Sequence, residues 1–242
     1  MKTLKLTLSI LLLFVSTLSI AQKRYKGDGN IITKERSIGT FDQLTVKGPF
    51  NVELTSGQVN VLTITTDANL MEQIVTEVND KTLTIRLKKQ SYLKPTNNKP
   101  IHIKAPLTSL NALLHAGSGK VFSNESFSTN TINVDHSGSG KIQLKLEAQT
   151  TAINLSGSGK IQLRGTSTNV NAKLSGSGNI RLADFEAENG EAKLSGSGNI
   201  DLNCSKRLTA KISGSGNIRY KEEPSQKLIS KVSGSGAIRP MN

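Results

Sequence analysis

The chain has 242 residues, with 31 Lys and Arg against 18 Asp and Glu, a formal net charge of +13, 4% aromatics and no tryptophan. This inventory excludes a compact core built on large aromatics and suits thin stacked layers of aliphatic side chains. The charge points to polyanions as partners, and the lone cysteine, Cys204, excludes an intramolecular disulfide.

At the N-terminus, Lys2 and Lys5 precede an apolar run over residues 6–20, and Ser19 and Ala21 supply small residues for a cleavage site. Residues 1–21 are read as a signal peptide, with the mature chain starting at Gln22 and carrying a formal charge of +11 once the two signal lysines are removed from +13. An uncleaved membrane anchor is the competing reading. Ser9, Ser16, Thr17 and Ser19 interrupt the run, which is also shorter than the roughly 20 residues of a span. Because Cys204 is the only cysteine, lipid attachment through an N-terminal cysteine is not expected.

Residues 22–40 read as a lead-in and 41–242 as a single β-solenoid domain, divergent over 41–110 and regular over 111–242. In the divergent part, Val46, Gly48, Val52 and Leu54 align with Leu174, Gly176, Ile180 and Leu182 of the regular part. Strands are expected over 59–66, 82–87 and 101–104, a short helix within 67–77, and an exposed loop over 92–100, which holds Pro95, Pro100 and two asparagines. The first coils are read as a cap.

In the regular part Gly-Ser-Gly recurs at 117–119, 138–140, 157–159, 176–178, 196–198, 214–216 and 234–236, with spacings of 21, 19, 19, 20, 18 and 20. A period near 20 is that of a solenoid, whose coils bury apolar faces only by stacking. Alternation of period two flanks each corner. His115, His136, Leu155, Leu174, Leu194, Ile212 and Val232 precede the first glycine by two, and Val121, Ile142, Ile161, Ile180, Ile200, Ile218 and Ile238 follow the turn. These are inward ladders. Glycine suits the corner through positive φ and close backbone approach. Return segments such as 183–190 and 221–227 are expected to be variable loops.

The alignment at Gly48 to Leu54, the segment 66–70 followed by Leu83, Thr84 and Ile85, and the iterated Gly-Ser-Gly-Asn-Ile resemble the putative auto-transporter adhesin, head GIN domain family, over roughly 41–239. The resemblance implies an all-β, right-handed parallel β-helix-like solenoid and secretion. It supplies no established activity and no catalytic residues.

Several chemistries fail on spacing. Gly-Ser-Gly-Lys at 117, 138 and 157 lacks the earlier glycine, the Ser or Thr after the lysine and the following helix of a phosphate loop. The calcium nonapeptide pattern has the wrong period and lacks its Asp. His115 and His136 share a ladder position on adjacent coils, but a metal needs three or four convergent ligands. His102 and Asp135 are the nearest additions, and Asp135 faces the opposite side of its strand. No metal or cofactor is expected. Asp184, Glu186 and Glu188 alternate on one return segment without a base, orienting group or pocket to match them, and Cys204 reads as a packed residue.

Lys173, Lys193, Lys211 and Lys231 share the position three before the corner, and Arg181, Arg219 and Arg239 share an outward register beyond it, interrupted by Asp201. These seven form the candidate binding strip. Its competitor is a solvated strand face whose lysines discourage edge-to-edge aggregation. The functional expectation is a non-catalytic protein in the periplasm, on the outer membrane surface or outside the cell. It would bind an acidic polysaccharide, lipopolysaccharide or another envelope component, with no nucleic acid partner and no membrane span after signal cleavage. The alternatives are an envelope scaffold without ligand and, less favoured, a polysaccharide-acting β-helix enzyme.

Overall fold

A residue pattern that alternates inward aliphatics with outward polar side chains, and repeats every coil, can bury its apolar half only against the next coil. The computed structural model, which describes residues 23–56, 60–107 and 109–241, has that architecture. The signal segment 1–21 lies outside the described residues, as does Val59 at the start of one expected strand.

In chain order the strands are β1 (Lys23–Lys26), β2 (Ile31–Ser37), β3 (Gln43–Lys47), β4 (Phe50–Thr55), β5 (Val61–Asp67), β6 (Ile74–Asn79), β7 (Thr82–Leu87), β8 (Ser91–Lys94) and β9 (Ile101–Pro106). The regular coils follow as β10 (Ala112–Gly117), β11 (Lys120–Gly138), β12 (Lys141–Gly157), β13 (Lys160–Gly176), β14 (Asn179–Gly196), β15 (Asn199–Gly214), β16 (Asn217–Tyr220), β17 (Lys227–Ser233) and β18 (Ala237–Pro240). From β10 onward every pairing is parallel and joins one coil to the next. Gly117, Gly138, Gly157, Gly176, Gly196 and Gly214 fall in one register.

The corner glycines answer two different demands. The first of each later triplet has a left-handed backbone, with φ of 125° at Gly138, 124° at Gly176 and 135° at Gly214, where an L side chain is strained. The third sits against the coil below. A Cβ on Gly178 would lie 2.6 Å from the carbonyl oxygen of Gly159 and 2.8 Å from Leu155 Cδ2. That proximity lets the corners hydrogen-bond coil to coil, as in Gly178 N–H to Gly157 O at 2.9 Å and Asn179 N–H to Gly159 O at 3.0 Å.

Inside, Ile142, Ile161, Ile180, Ile200 and Ile218 form a fully buried ladder, each member contributing about 1.5–3 kcal/mol by leaving water. Just past the corner, Asn179, Asn199 and Asn217 form an amide ladder, in which Asn199 Nδ2 donates to Asn179 Oδ1 at 3.1 Å and Asn217 Nδ2 to Asn199 Oδ1 at 3.2 Å. In the last described coil the ladder opens, and Ile229 and Val232 are exposed.

The first part departs from the expected run of worn coils. β3 and β4 do form a coil beneath β10 and β11, turning at Gly48 with φ of 140°. The layer beneath that coil, however, is made by β7 under β3 and β9 under β4, both parallel. Antiparallel strands then cap the stack, β6 on β7, β5 on β9 and β2 on β5. The reversal starts at Asp80 and Lys81, whose φ values of 46° and 60° make a two-residue hairpin turn between Asn79 and Thr82.

Other expectations also shift. The helix within 67–77 is a 3-10 helix over Ala68–Gln73 followed by β6. The segment read as an exposed loop contains β8, which pairs with β1 and buries Leu93. The lead-in is therefore structural. Buried Asp67 ties it down, accepting from the Gly29 N–H at 2.9 Å and from the Thr96 N–H at 3.1 Å. Residues 183–190, read as a loop, are strand throughout within β14, because Phe185 and Ala187 continue the inward alternation.

Candidate binding surface

Parallel register places Leu114, Asp135, Asn154, Lys173, Lys193, Lys211 and Lys231 on successive rungs of one outward row, with about 4.8 Å between rungs. Beside it runs a second outward row, Ser137, Ser156, Ser175, Ser195, Ser213 and Ser233. Short serines next to long lysines leave a groove of about 800 Å³, lined by both rows and mostly apolar in its walls. The row changes along its length from apolar and acidic at Leu114 and Asp135 to four consecutive lysines. Lys193 pairs with Glu191 at 2.6 Å, whereas Lys173, Lys211 and Lys231 make no ion pair among the described residues. The Lys193 hydrogen bond, acting against burial and joined by the charges of Lys193, Lys211 and Lys173, holds the Glu191 carboxyl below the usual carboxylate range.

The three arginines lie elsewhere. Arg181, Asp201, Arg219 and Arg239 occupy one row on the far flank of the corner. Arg219 is engaged by the buried Asp201 through Nε to Oδ1 at 2.7 Å and Nη2 to Oδ2 at 3.0 Å. The structure thus divides the seven expected residues between two faces. It also adds a row that sequence reading weighed only as a failed nucleotide motif, Lys120, Lys141 and Lys160 stacked immediately past the corner. Burial, with the charges of Arg181 and Lys141, lowers the Lys160 ammonium below its ordinary value. The signal for this row was present in the thrice-repeated Gly-Ser-Gly-Lys.

Several acidic residues lie on the return segments of the regular coils. There Glu147, Glu186, Glu188 and Glu222 line a polar groove of about 630 Å³ with threonines and serines. Thr166 separates Glu147 from Glu186 in register. Glu188 pairs with Lys206 at 2.8 Å, and Asp184 with Arg164 at 3.5 Å. His102 faces Glu53, with Nε2 to Oε2 at 3.8 Å. Among the described residues, no three His, Cys, Asp or Glu side chains converge as a metal site requires. Cys204 is buried, and burial pushes its thiol up to about 12, so it is not a thiolate at neutral pH.

His115 and His136 are fully inside the ladder, their rings stacked at 4.7 Å between centroids and 6° between planes. The His136 ring nitrogens lie 2.8 Å from the His115 carbonyl oxygen and 2.9 Å from that of Gly140, so at least one ring N–H is donated. Neither ring nitrogen of His115 has a hydrogen-bond partner among the described residues. Burial, reinforced by the charge of His136, pushes His115 down to about 4.

A stack of parallel coils bearing long open grooves defines a β-solenoid that offers its chemistry along its outer faces. The chain belongs to the family described as putative auto-transporter adhesin, head GIN domain, which it matches over residues 40–224. Its fold resembles that of a putative adhesin from Bacteroides fragilis at 24% identity and a TM-score of 0.84, covering 90% of this chain and all of that one. A putative lipid binding protein from Parabacteroides distasonis aligns at 28% identity and a TM-score of 0.75, over 91% of this chain and all of the other. A putative adhesin from Parabacteroides merdae aligns at 21% identity and 0.72, over 90% and 99%. No curated protein matches the sequence. Among the described residues no helix is long and apolar enough to cross a membrane.

Proposed function

We propose that the protein is an exported, non-catalytic adhesin that holds an anionic envelope glycan, an acidic polysaccharide or lipopolysaccharide, along the lysine groove. The carrying observation is that Lys173, Lys193, Lys211 and Lys231 line one groove on consecutive rungs. A linear polyanion lying along the solenoid axis would meet one ammonium per coil, about every 4.8 Å. The apolar walls between the lysine and serine rows favour lipopolysaccharide within this class, because it joins anionic groups to acyl chains. The likeness to a protein described as lipid binding supports the same choice. Export rests on the signal segment, and mass spectrometry of the processed protein is expected to find Gln22 at the N-terminus. Intact Met1 in a membrane fraction would instead indicate an uncleaved anchor.

Individually exposed charges contribute little, so the test must remove the row as a set. Purified protein starting at Gln22 is expected to bind lipopolysaccharide and acidic glycans at low ionic strength. Raising the salt to where the screening length is about 3 Å should weaken binding at least about tenfold. The quadruple change of Lys173, Lys193, Lys211 and Lys231 to glutamine should do the same at low salt. Binding indifferent to both changes would leave the row a solubilising face and favour the scaffold reading.

A further inference from the structure

Across the corner from the lysine groove, three adjacent coils carry a different constellation. Lys120, Lys141 and Lys160 share one outward row, and Phe122, Gln143 and Gln162 share the next. Lys145 and Arg164 stand opposite each other two positions further on. Along a strand those two steps place a cation about 7 Å to either side of the central amides.

The strands here are opened by bulges. β11 and β12 pair at Phe122 with Gln143 and again only at Ser126 with Lys145, so three residues of β11 face Leu144 alone. The Lys145 N–H released from the ladder donates to Ser123 Oγ at 2.9 Å, which fixes the bulge. One coil beyond the glutamines, β13 and β14 also shift register between Gln162 and Gly165. Between the two irregularities lies a cleft of about 190 Å³ whose lining includes Lys120, Phe122, Asn124, Gln143, Lys145 and Gln162. Bulges at such positions re-aim side chains. Here they turn amides, cations and one ring toward a common space.

We propose that this cleft is a binding site for an acidic saccharide. Gln143 and Gln162, joined by an Nε2 to Oε1 hydrogen bond of 3.3 Å, present donors and acceptors in fixed planes that match the neighbouring hydroxyls of a pyranose. The Phe122 face, already attractive to the Lys120 ammonium at 4.3 Å from its centroid, offers negative potential to the C–H face of a sugar ring. Lys120, Lys145 and Arg164, which line the cleft, neutralise the sugar carboxylates. A single-stranded nucleic acid is the less suitable occupant, because it needs successive aromatic platforms and a continuous cationic track. Phe122 is the only aromatic in its row from Glu53 to Arg239, and the Glu53 carboxylate, held by Asn124 Nδ2 at 2.7 Å, closes one end. The site is separate from the lysine groove and does not rest on it.

Calorimetric titration of the protein starting at Gln22 with tetragalacturonate tests this, beside neutral galactotetraose and a deoxythymidine tetranucleotide. Tetragalacturonate is expected to bind, and the neutral sugar to bind at least about fivefold more weakly. Phe122→Leu and the double change Gln143→Ala with Gln162→Ala should each weaken it about fivefold or more with unchanged thermal melting. The quadruple lysine-to-glutamine variant of the groove should retain tetragalacturonate binding at the cleft, and in that background each cleft change should still weaken it about fivefold, which separates failure of this site from failure of the groove. Absence of tetragalacturonate binding overturns the proposal. So does binding insensitive to both cleft variants or abolished by the groove variant, and so does tighter binding of the tetranucleotide with the same sensitivities.

Discussion

Gly178→Ala is expected to lower the unfolding free energy by about 2–3 kcal/mol, an overpacking cost at a site with nowhere to relax. The added methyl would sit 2.6 Å from the Gly159 carbonyl oxygen and 2.8 Å from Leu155 Cδ2. The oxygen belongs to the neighbouring corner and accepts the Asn179 N–H that holds the two coils together, so moving it weakens the stack. Gly176→Ala should cost a similar amount for another reason. Its φ of 124° lies where an L residue is strained, a penalty of order 1–3 kcal/mol, and its Cβ would lie 2.6 Å from the Gly157 oxygen. Ser177 between them is exposed, so Ser177→Ala should change stability by no more than about 0.5 kcal/mol. Urea unfolding of the three variants checks the pattern. Equal midpoints for all three would mean that the coils do not approach as closely as the corner geometry requires.

The same corners explain why the regular coils were legible and the cap was not. Inward ladders such as Ile142 to Ile218 are announced by period-two alternation recurring at a fixed spacing, and parallel stacking follows from the repeat. Even the irregular spacings carried structure. The 21-residue step from Gly117 to Gly138, against 19 to Gly157, is the two-residue surplus that leaves three residues of β11 facing one of β12. The surplus was countable, but its location after Phe122 depends on which neighbours pair. In the cap, Asp80 and Lys81 turn a hairpin without the glycine or asparagine that usually marks one. The polar segment 183–190 hid its inward residues, Phe185 and Ala187, among acids. The lysine row of the groove was readable as a register. The apolar walls beside it depend on serines lying next to lysines, and the second basic row was obscured because Gly-Ser-Gly-Lys drew a comparison with phosphate loops.

Acidification from pH 6.5 toward pH 4 is expected to remove up to about 3 kcal/mol of stability through His115 alone, and His115→Leu should abolish that loss. The folded protein holds this ring neutral, at about 4 against an ordinary 6.5, because it is buried and lies beside His136. Between those values the unfolded chain binds the proton and the folded chain does not, so stability rises with pH across the window and is lost as pH falls through it. Each unit of the difference is worth about 1.4 kcal/mol. The two best-placed carboxylates act lower. Asp67, where burial is outweighed by hydrogen bonds from Thr96 and Gly29, and Glu191, hydrogen-bonded by Lys193, both lie below their ordinary values. Their contributions are therefore complete above the ordinary carboxylate range and fade only below about pH 4.5. Leucine already occupies the same register at 155, 174 and 194, so the substitution fits the ladder. It also removes two buried ring nitrogens that lack partners, and should therefore raise stability near neutral pH by about 1 kcal/mol. Urea titrations at closely spaced pH values are expected to show a steep loss for the unaltered protein and a nearly flat line for His115→Leu down to about pH 4.5. An undiminished slope in the variant would place the acid sensitivity elsewhere and show that the His115 ring is not held neutral by the stack.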